Sequence, residues 1–147
     1  MSKIDTRQGW MSLLAKAPAK ALARYWAALD MAPAFTWLRT PEIGGVMVRG
    51  RMGGTGGPFN LGEMTVTRCA LSLEDGTVGH AYVQGRDKEK ARQAALLDAL
   101  MQTVAADTVR AKVLEPLAAE LAEKAEARAA KAAATKVDFF TMVRGED

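Results

Sequence analysis

The chain has 147 residues, one cysteine, one histidine and a formal net charge of +3. That length suits one domain, and 49% apolar residues suffice for a core. A single Cys excludes an intrachain disulfide framework and a self-contained iron–sulfur cluster or Cys-rich zinc site, each needing several thiolates; a single His excludes a multi-histidine metal centre. No stretch approaches the ~20 apolar residues that span a bilayer, and the N-terminal run from Trp10 to Ala15 is too short for a signal peptide, so a cytoplasmic protein is expected. Residues 1–60 carry 8 Lys+Arg against 3 Asp+Glu, and residues 61–147 carry 12 against 14. This basic bias permits an anionic partner but is too scattered for a nucleic-acid tail.

Taken in chain order, residues 6–16 read as a helix capped by Asp5 or Thr6, with Trp10, Leu13 and Leu14 on one face. Pro18 suits the first turn of a second helix reaching about Asp30, with Leu22, Trp26 and Leu29 as its stripe. Residues 35–39, bounded by Pro33 and Pro41, read as an edge strand, and residues 46–52 as a second strand. Residues 53–58 form a Gly-rich loop by composition. Strands follow over 64–73 and 77–84, joined at Asp75-Gly76, a dipeptide suited to a tight hairpin. A two-residue loop there pairs Leu73 with Val78, Leu71 with His80 and Cys69 with Tyr82, which places His80 and Cys69 on the interior face. Asp87 caps a third helix over about 88–105, with Ala94, Leu97, Met101 and Val104 aligned. A weaker helical pattern starts at Thr108, with a break expected at Pro116.

Beyond Leu121 the pattern changes. Residues 122–136 contain no large apolar side chain, whereas residues 137–143 are apolar again. A solvated helical arm ending in an apolar hook either folds back onto its own body or docks on a partner's surface, and the partner reading makes Val137, Phe139, Phe140, Met142, Val143 and Arg144 its contact residues. The expected fold is therefore α+β: a small antiparallel sheet of about four strands packed with helices in a core of residues 1–106. Residues 107–147 form an extended C-terminal helical arm and tail belonging to the same unit.

No complete catalytic constellation emerges. The Gly-rich loop lacks the Lys-Ser/Thr ending of a Walker loop and does not open a helix. It reads either as a plain connection or as an anion site of bare backbone N–H groups, with Arg49, Arg51 and Arg68 supplying planar guanidinium forks. Glu63 reads as a solvated strand residue, with a base or magnesium-ligand role as the sharper alternative. Arg86-Asp87-Lys88 reads as a cap with exposed charges, or as a further anion contact. Cys69 has no local activating group.

Five blocks carry a resemblance: Thr6-Arg7-Gln8-x-Trp10-Met11-Ser12, Arg51-Met-Gly-Gly-Thr-Gly56, Thr67-Arg68 with Asp75-Gly76-Thr77, Gly85-Arg-Asp-Lys88, and the terminal Val137-Asp-Phe-Phe-Thr-Met-Val-Arg-Gly145. In this order they are similar to PhnG, the G subunit family of the bacterial carbon–phosphorus lyase system. The resemblance implies a non-autonomous subunit of a core complex with PhnH, PhnI and PhnJ, served by the ATP-binding-cassette-like PhnL and PhnK. It implies support for a transferase step in which a phosphonate attacks the ribose of ATP. Adenine then leaves and α-D-ribose 1-methylphosphonate 5-triphosphate forms. It further implies MgATP as the complex's nucleotide, an iron–sulfur cluster with S-adenosylmethionine on another subunit, no cofactor or metal held by this chain alone, and no membrane or nucleic-acid partner. Under this reading Arg49, Arg51, Gly53, Gly54, Thr55, Gly56 and Arg68 face the phosphonate or triphosphate, and the tail docks on PhnI. A stand-alone anion- or nucleic-acid-binding α+β module is the alternative.

Overall fold

A computed structural model describes the backbone of residues 3–51 and 58–145, and the side chains of residues 4–47 and 62–135. After a short 3-10 turn come helices α1 (Arg7–Lys16) and α2 (Ala19–Leu29), then strands β1 (Phe35–Arg51), β2 (Pro58–Leu73) and β3 (Val78–Gln84). Helices α3 (Lys88–Leu100), α4 (Ala106–Val109) and α5 (Glu115–Gly145) complete the chain. The fold is α+β, as expected.

Local chemistry sets the helix starts. Thr6 Oγ1 accepts from the Gly9 amide at 3.1 Å and Asp87 Oδ1 from the Lys90 amide at 2.9 Å, each filling an otherwise unmet donor of the first turn. Pro18 is the cap residue of α2, and Asp30 ends that helix in the left-handed region at φ 54°.

The sheet is antiparallel in the order β1-β2-β3. The two strands expected at 35–39 and 46–52 are one continuous strand, so there are three strands among the described residues. Register shifts between Trp37 and Arg39 and between Arg39 and Glu42 carry the chain past Pro41. An edge strand tolerates the missing proline N–H, which need not meet a neighbour.

The hairpin register differs from expectation by one residue. Gly76, at φ 90°, ends a three-residue loop closed by Leu73 N–H to Thr77 O at 2.8 Å and Gly76 N–H to Leu73 O at 3.0 Å. Ser72 therefore pairs with Val78, Ala70 with His80 and Cys69 with Ala81. Since one step exchanges faces, His80 lies on the exposed face, while Cys69 remains buried as expected.

Helices cover one sheet face. Leu71, Cys69 and Val83 pack there against the apolar length of α3, with Trp10 and Leu14 of α1 and Leu22 and Leu29 of α2 completing the core. Alpha3 comes so close to β3 that a Cβ on Gly79 would lie 2.0 Å from Ala95 O. Alpha3 stops at Leu100 rather than near 105, and Val104, expected in its apolar stripe, is fully exposed.

The chain does not break at Pro116. It widens into a π-helical stretch, Arg110–Leu114, and runs straight on into α5. Val109, Val113, Leu114 and Leu117 are buried, so the first part of the expected arm belongs to the body. Glu120 pins α5 to α2 through Arg24 Nη2 at 2.9 Å and the Tyr25 hydroxyl at 2.9 Å. From 122 to 135 every side chain is exposed.

Candidate functional site

Beta3 pairs only with residues 66–72 of β2. Residues 58–65 of β2 therefore pair with β1 alone and form a two-stranded ribbon. In its backbone register Arg49 lies opposite Asn60 and Arg51 opposite Pro58; their side chains lie outside the described residues, as do Gly53, Gly54, Thr55 and Gly56 altogether. Arg68 sits at the ribbon's other end, opposite Glu42, with Nε 3.5 Å from Glu42 Oε2. Ten strand residues separate Arg68 from the partner of Arg51, about 30 Å along the chain. The structure thus places Arg68 apart from Arg49 and Arg51.

Two residues considered separately in the sequence do come together. Glu63 and Arg86 line one groove of about 350 Å³ with Ile43, Gly44, Gly45 and Thr65. Its geometry follows from the strand-to-helix junction. The Gly85 amide donates to Thr65 O at 2.9 Å, Thr67 Oγ1 donates to Gly85 O at 2.7 Å, and Gly85 turns the chain at φ 94°. This fixes the position of Arg86 in the short junction after β3, one residue before the Asp87 cap. Glu63 lies over Gly45, where an added Cβ would fall 1.7 Å from Glu63 Oε1. Neither Glu63 nor Arg86 forms an ion pair among the described residues. A carboxylate that accepts from hydroxyls and a guanidinium that binds anions share this surface without a nucleophile–base pair. Among the described residues no cluster of three or more His, Cys, Asp or Glu could hold a metal.

The N-terminal block has a structural explanation. Asp98, fully buried on α3, accepts from Arg7 Nε at 3.2 Å and Nη2 at 2.9 Å, from Trp10 Nε1 at 2.8 Å, and from the His80 backbone N–H at 2.8 Å. Alpha1, α3 and the outer edge of β3 are thereby joined at one carboxylate. The pairing also holds the Arg7 guanidinium above its usual pKa, chiefly through the side-chain hydrogen bond. The sequence reading missed Asp98; its signal is an acid inside the apolar run Ala94 to Leu100. Lys90 is likewise buried, its Nζ donating to Ala15 O at 3.0 Å, and burial lowers its pKa. Cys69 Sγ lies 3.3 Å from Ala91 O, and burial pushes its thiol up to about 11. It is a protonated core residue at neutral pH.

The tail residues Val137, Phe139, Phe140, Met142, Val143 and Arg144 fall within the helical backbone of α5, which ends at Gly145; their side chains lie outside the described residues. No helix among the described residues is long and apolar enough to cross a membrane.

A three-stranded sheet with one helical layer, a projecting ribbon and a long exposed helix define an α+β protein with no complete active site among its described residues. Residues 5–145 match the family described as phosphonate metabolism protein PhnG, and the chain belongs to that family. It is also 48% identical over 144 residues to subunit PhnG of alpha-D-ribose 1-methylphosphonate 5-triphosphate synthase from Rhizobium meliloti (strain 1021), which spans 98% of this chain and 92% of the relative.

Proposed function

We propose that the chain is the G subunit of an α-D-ribose 1-methylphosphonate 5-triphosphate synthase within a carbon–phosphorus lyase core complex. The observation that carries this reading is the near end-to-end similarity to a curated synthase subunit. PhnH, PhnI and PhnJ are its proposed core partners, with PhnL and PhnK supplying ATP-binding-cassette function. In this role the chain supports attack of a phosphonate on the ribose carbon of MgATP with release of adenine, and the chemistry is completed on neighbouring subunits. The iron–sulfur cluster and S-adenosylmethionine of the later carbon–phosphorus cleavage do not fit this chain, whose one cysteine is buried.

Two parts of the fold suit a subunit. Residues 122–135 form a helix with every side chain exposed, so α5 carries residues 137–144 away from the body. We assign those residues to docking on PhnI, where the apolar Val137, Phe139, Phe140, Met142 and Val143 are buried and Arg144 lies at the rim. The ribbon delivers Arg49, Arg51 and the loop residues Gly53, Gly54, Thr55 and Gly56 to the phosphonate or triphosphate, guanidinium and backbone N–H groups being suited to such oxygens. Arg68 acts at the ribbon base.

Co-expression with the neighbouring subunits tests this reading. The full chain is expected to co-purify with them and to support adenine release from ATP and methylphosphonate. A chain lacking residues 137–147 is expected to be lost from the complex, and its full retention would overturn the docking assignment. Arg51→Ala is expected to assemble but to release adenine more slowly. Unchanged release would remove the ribbon tip from the chemistry.

A further inference from the structure

A bulge shapes the sheet face turned away from the helices. Trp37 lies opposite Leu71 and Arg39 opposite Ala70, which leaves Leu38 as an extra residue on β1 with no partner of its own. Such an insertion breaks the strict alternation of side chains and re-aims one of them. Leu38 and Arg39, though adjacent in sequence, accordingly line the same groove, of about 470 Å³. Ala70, between Arg39 and His80 in the register, is the small residue of its row, so the face is hollow there. Tyr82 of β3 and Met11 of α1 line the hollow as well.

This rim is unlike an ordinary solvated sheet face. Leu38 is 59% exposed and Tyr82 48%. Arg39 has no ion-pair partner among the described residues, whereas Arg68 is paired with Glu42. Arg39 is therefore the uncompensated charge beside an apolar hollow. Tyr, Met and Arg are the side chains enriched in protein–protein contacts, and a hollow among them is where a partner's anchor residue lodges.

Charge and shape choose the occupant. A second copy of this face would set one Arg39 rim against another. The chain's own tail is carried off along α5, which stays helical to Gly145. A free anion would leave Leu38 and Tyr82 in water, and a purely apolar segment would bury Arg39 without a counter-charge. A polypeptide with an aliphatic or aromatic side chain for the hollow and a carboxylate for Arg39 satisfies both.

We propose that this face docks an acidic segment of a neighbouring subunit, its apolar anchor over Ala70 between Leu38 and Tyr82 and its carboxylate on Arg39. The existence of such a neighbour rests on the synthase reading above. The face is a second foothold, separate from the tail at the far end of α5. Two footholds on one chain hold it more firmly than either alone, because release requires both to open together.

The full chain, co-expressed with the core subunits, tests the assignment. With p-benzoylphenylalanine in place of Tyr82, irradiation of the purified complex is expected to join this chain to a core subunit, at a segment where Asp or Glu stands beside an aliphatic or aromatic side chain. Leu38→Asp and Arg39→Glu are each expected to raise about tenfold the concentration at which half of this chain leaves the complex on dilution, whereas Leu38→Met shifts it by less than about twofold. Val104→Asp, at a fully exposed apolar residue outside the groove, is the control and should also stay within about twofold. Thermal melting checks that each variant is folded. The proposal is overturned if, in an assembled complex, the Tyr82 position cross-links only to a second copy of this chain or to no protein, or if folded Leu38→Asp and Arg39→Glu leave the dilution midpoint unchanged. An equal shift from Val104→Asp would also overturn it, since any added charge would then act alike. If the parent chain fails to co-purify with the core subunits, the synthase reading falls and this assignment with it. If it co-purifies and the cross-link is missing, the docking face alone falls.

Discussion

Arg7 and Asp98 lie 91 residues apart and meet through two parallel hydrogen bonds, Nε to Oδ1 at 3.2 Å and Nη2 to Oδ2 at 2.9 Å. The Asp98 carboxylate is fully buried, whereas the Arg7 side chain is 44% exposed. The buried partner therefore determines the energetics, because its desolvation must be offset by all the donors aimed at it. Asp98→Ala strips a partner from Arg7, the Trp10 indole and the His80 amide together. A loss of about 3–5 kcal/mol in urea unfolding is expected. Trp10→Phe, which removes one donor, should cost about 1–3 kcal/mol. A change below about 1 kcal/mol in Asp98→Ala would show that this carboxylate does not hold the helices to β3.

Gly79 and Gly45 make a matched pair of tests. At Gly79 an added Cβ meets backbone, 2.0 Å from Ala95 O and 2.8 Å from Ala99 Cβ, so α3 itself must move. At Gly45 it meets only the end of the Glu63 side chain, which can swing away. Gly79→Ala is expected to destabilise by about 1–3 kcal/mol and Gly45→Ala by less than about 1 kcal/mol. Equal melting temperatures for the two variants would contradict the close approach of α3 and β3.

Cys69 gives a pH signature. Burial raises its pKa from 9.0 to about 11, so the folded protein keeps a proton that the unfolded chain gives up. Between about pH 9 and 11 the native state binds more protons, and this contribution to stability falls as pH rises. Lys90 acts in the opposite sense, since burial lowers its pKa from 10.5 and the unfolded chain binds the extra proton. The parent chain and Cys69→Ala should therefore diverge over pH 9–11, with the parent losing more. Native Cys69 should also resist a thiol reagent at pH 8 until urea unfolds the chain. Rapid native labelling would contradict the burial.

The two stretches of the C-terminal segment should respond differently to substitution. Leu117 is fully buried, and Leu117→Ala is expected to cost about 2–5 kcal/mol. Ala129 lies in the exposed stretch, so Ala129→Ser should stay within about 0.5 kcal/mol. Comparable losses at both positions would place residue 129 against the body.

What the sequence revealed was local. Thr6 and Asp87 were recognisable as caps because a cap needs only the next three residues. Leu22, Leu29, Trp10 and Leu14 showed themselves by helical spacing. The failures required knowledge of distant pairings. Asp75-Gly76 suits both a two- and a three-residue loop, and the difference of one residue moved His80 from the interior to the open face. Pro41 looked like a strand end, yet on the edge strand its lost N–H had no neighbour to serve. Asp98 showed only as an acid inside an apolar run, because its side-chain partners Trp10 and Arg7 are 88 and 91 residues away. In the candidate site, the length of the ribbon parted Arg68 from Arg49 and Arg51, while the turn at Gly85 brought Arg86 beside Glu63.

Because α5 is one unbroken helix, the 24 steps from Leu121 to Gly145 act as a ruler, about 36 Å long at 1.5 Å per residue. Which small or charged residue occupies each graduation matters little, but how many there are matters a great deal. Adding a single residue would push the far end outward by 1.5 Å and swing it through about 100° around the axis. Evolution along this stretch should therefore be permissive of spelling and intolerant of count.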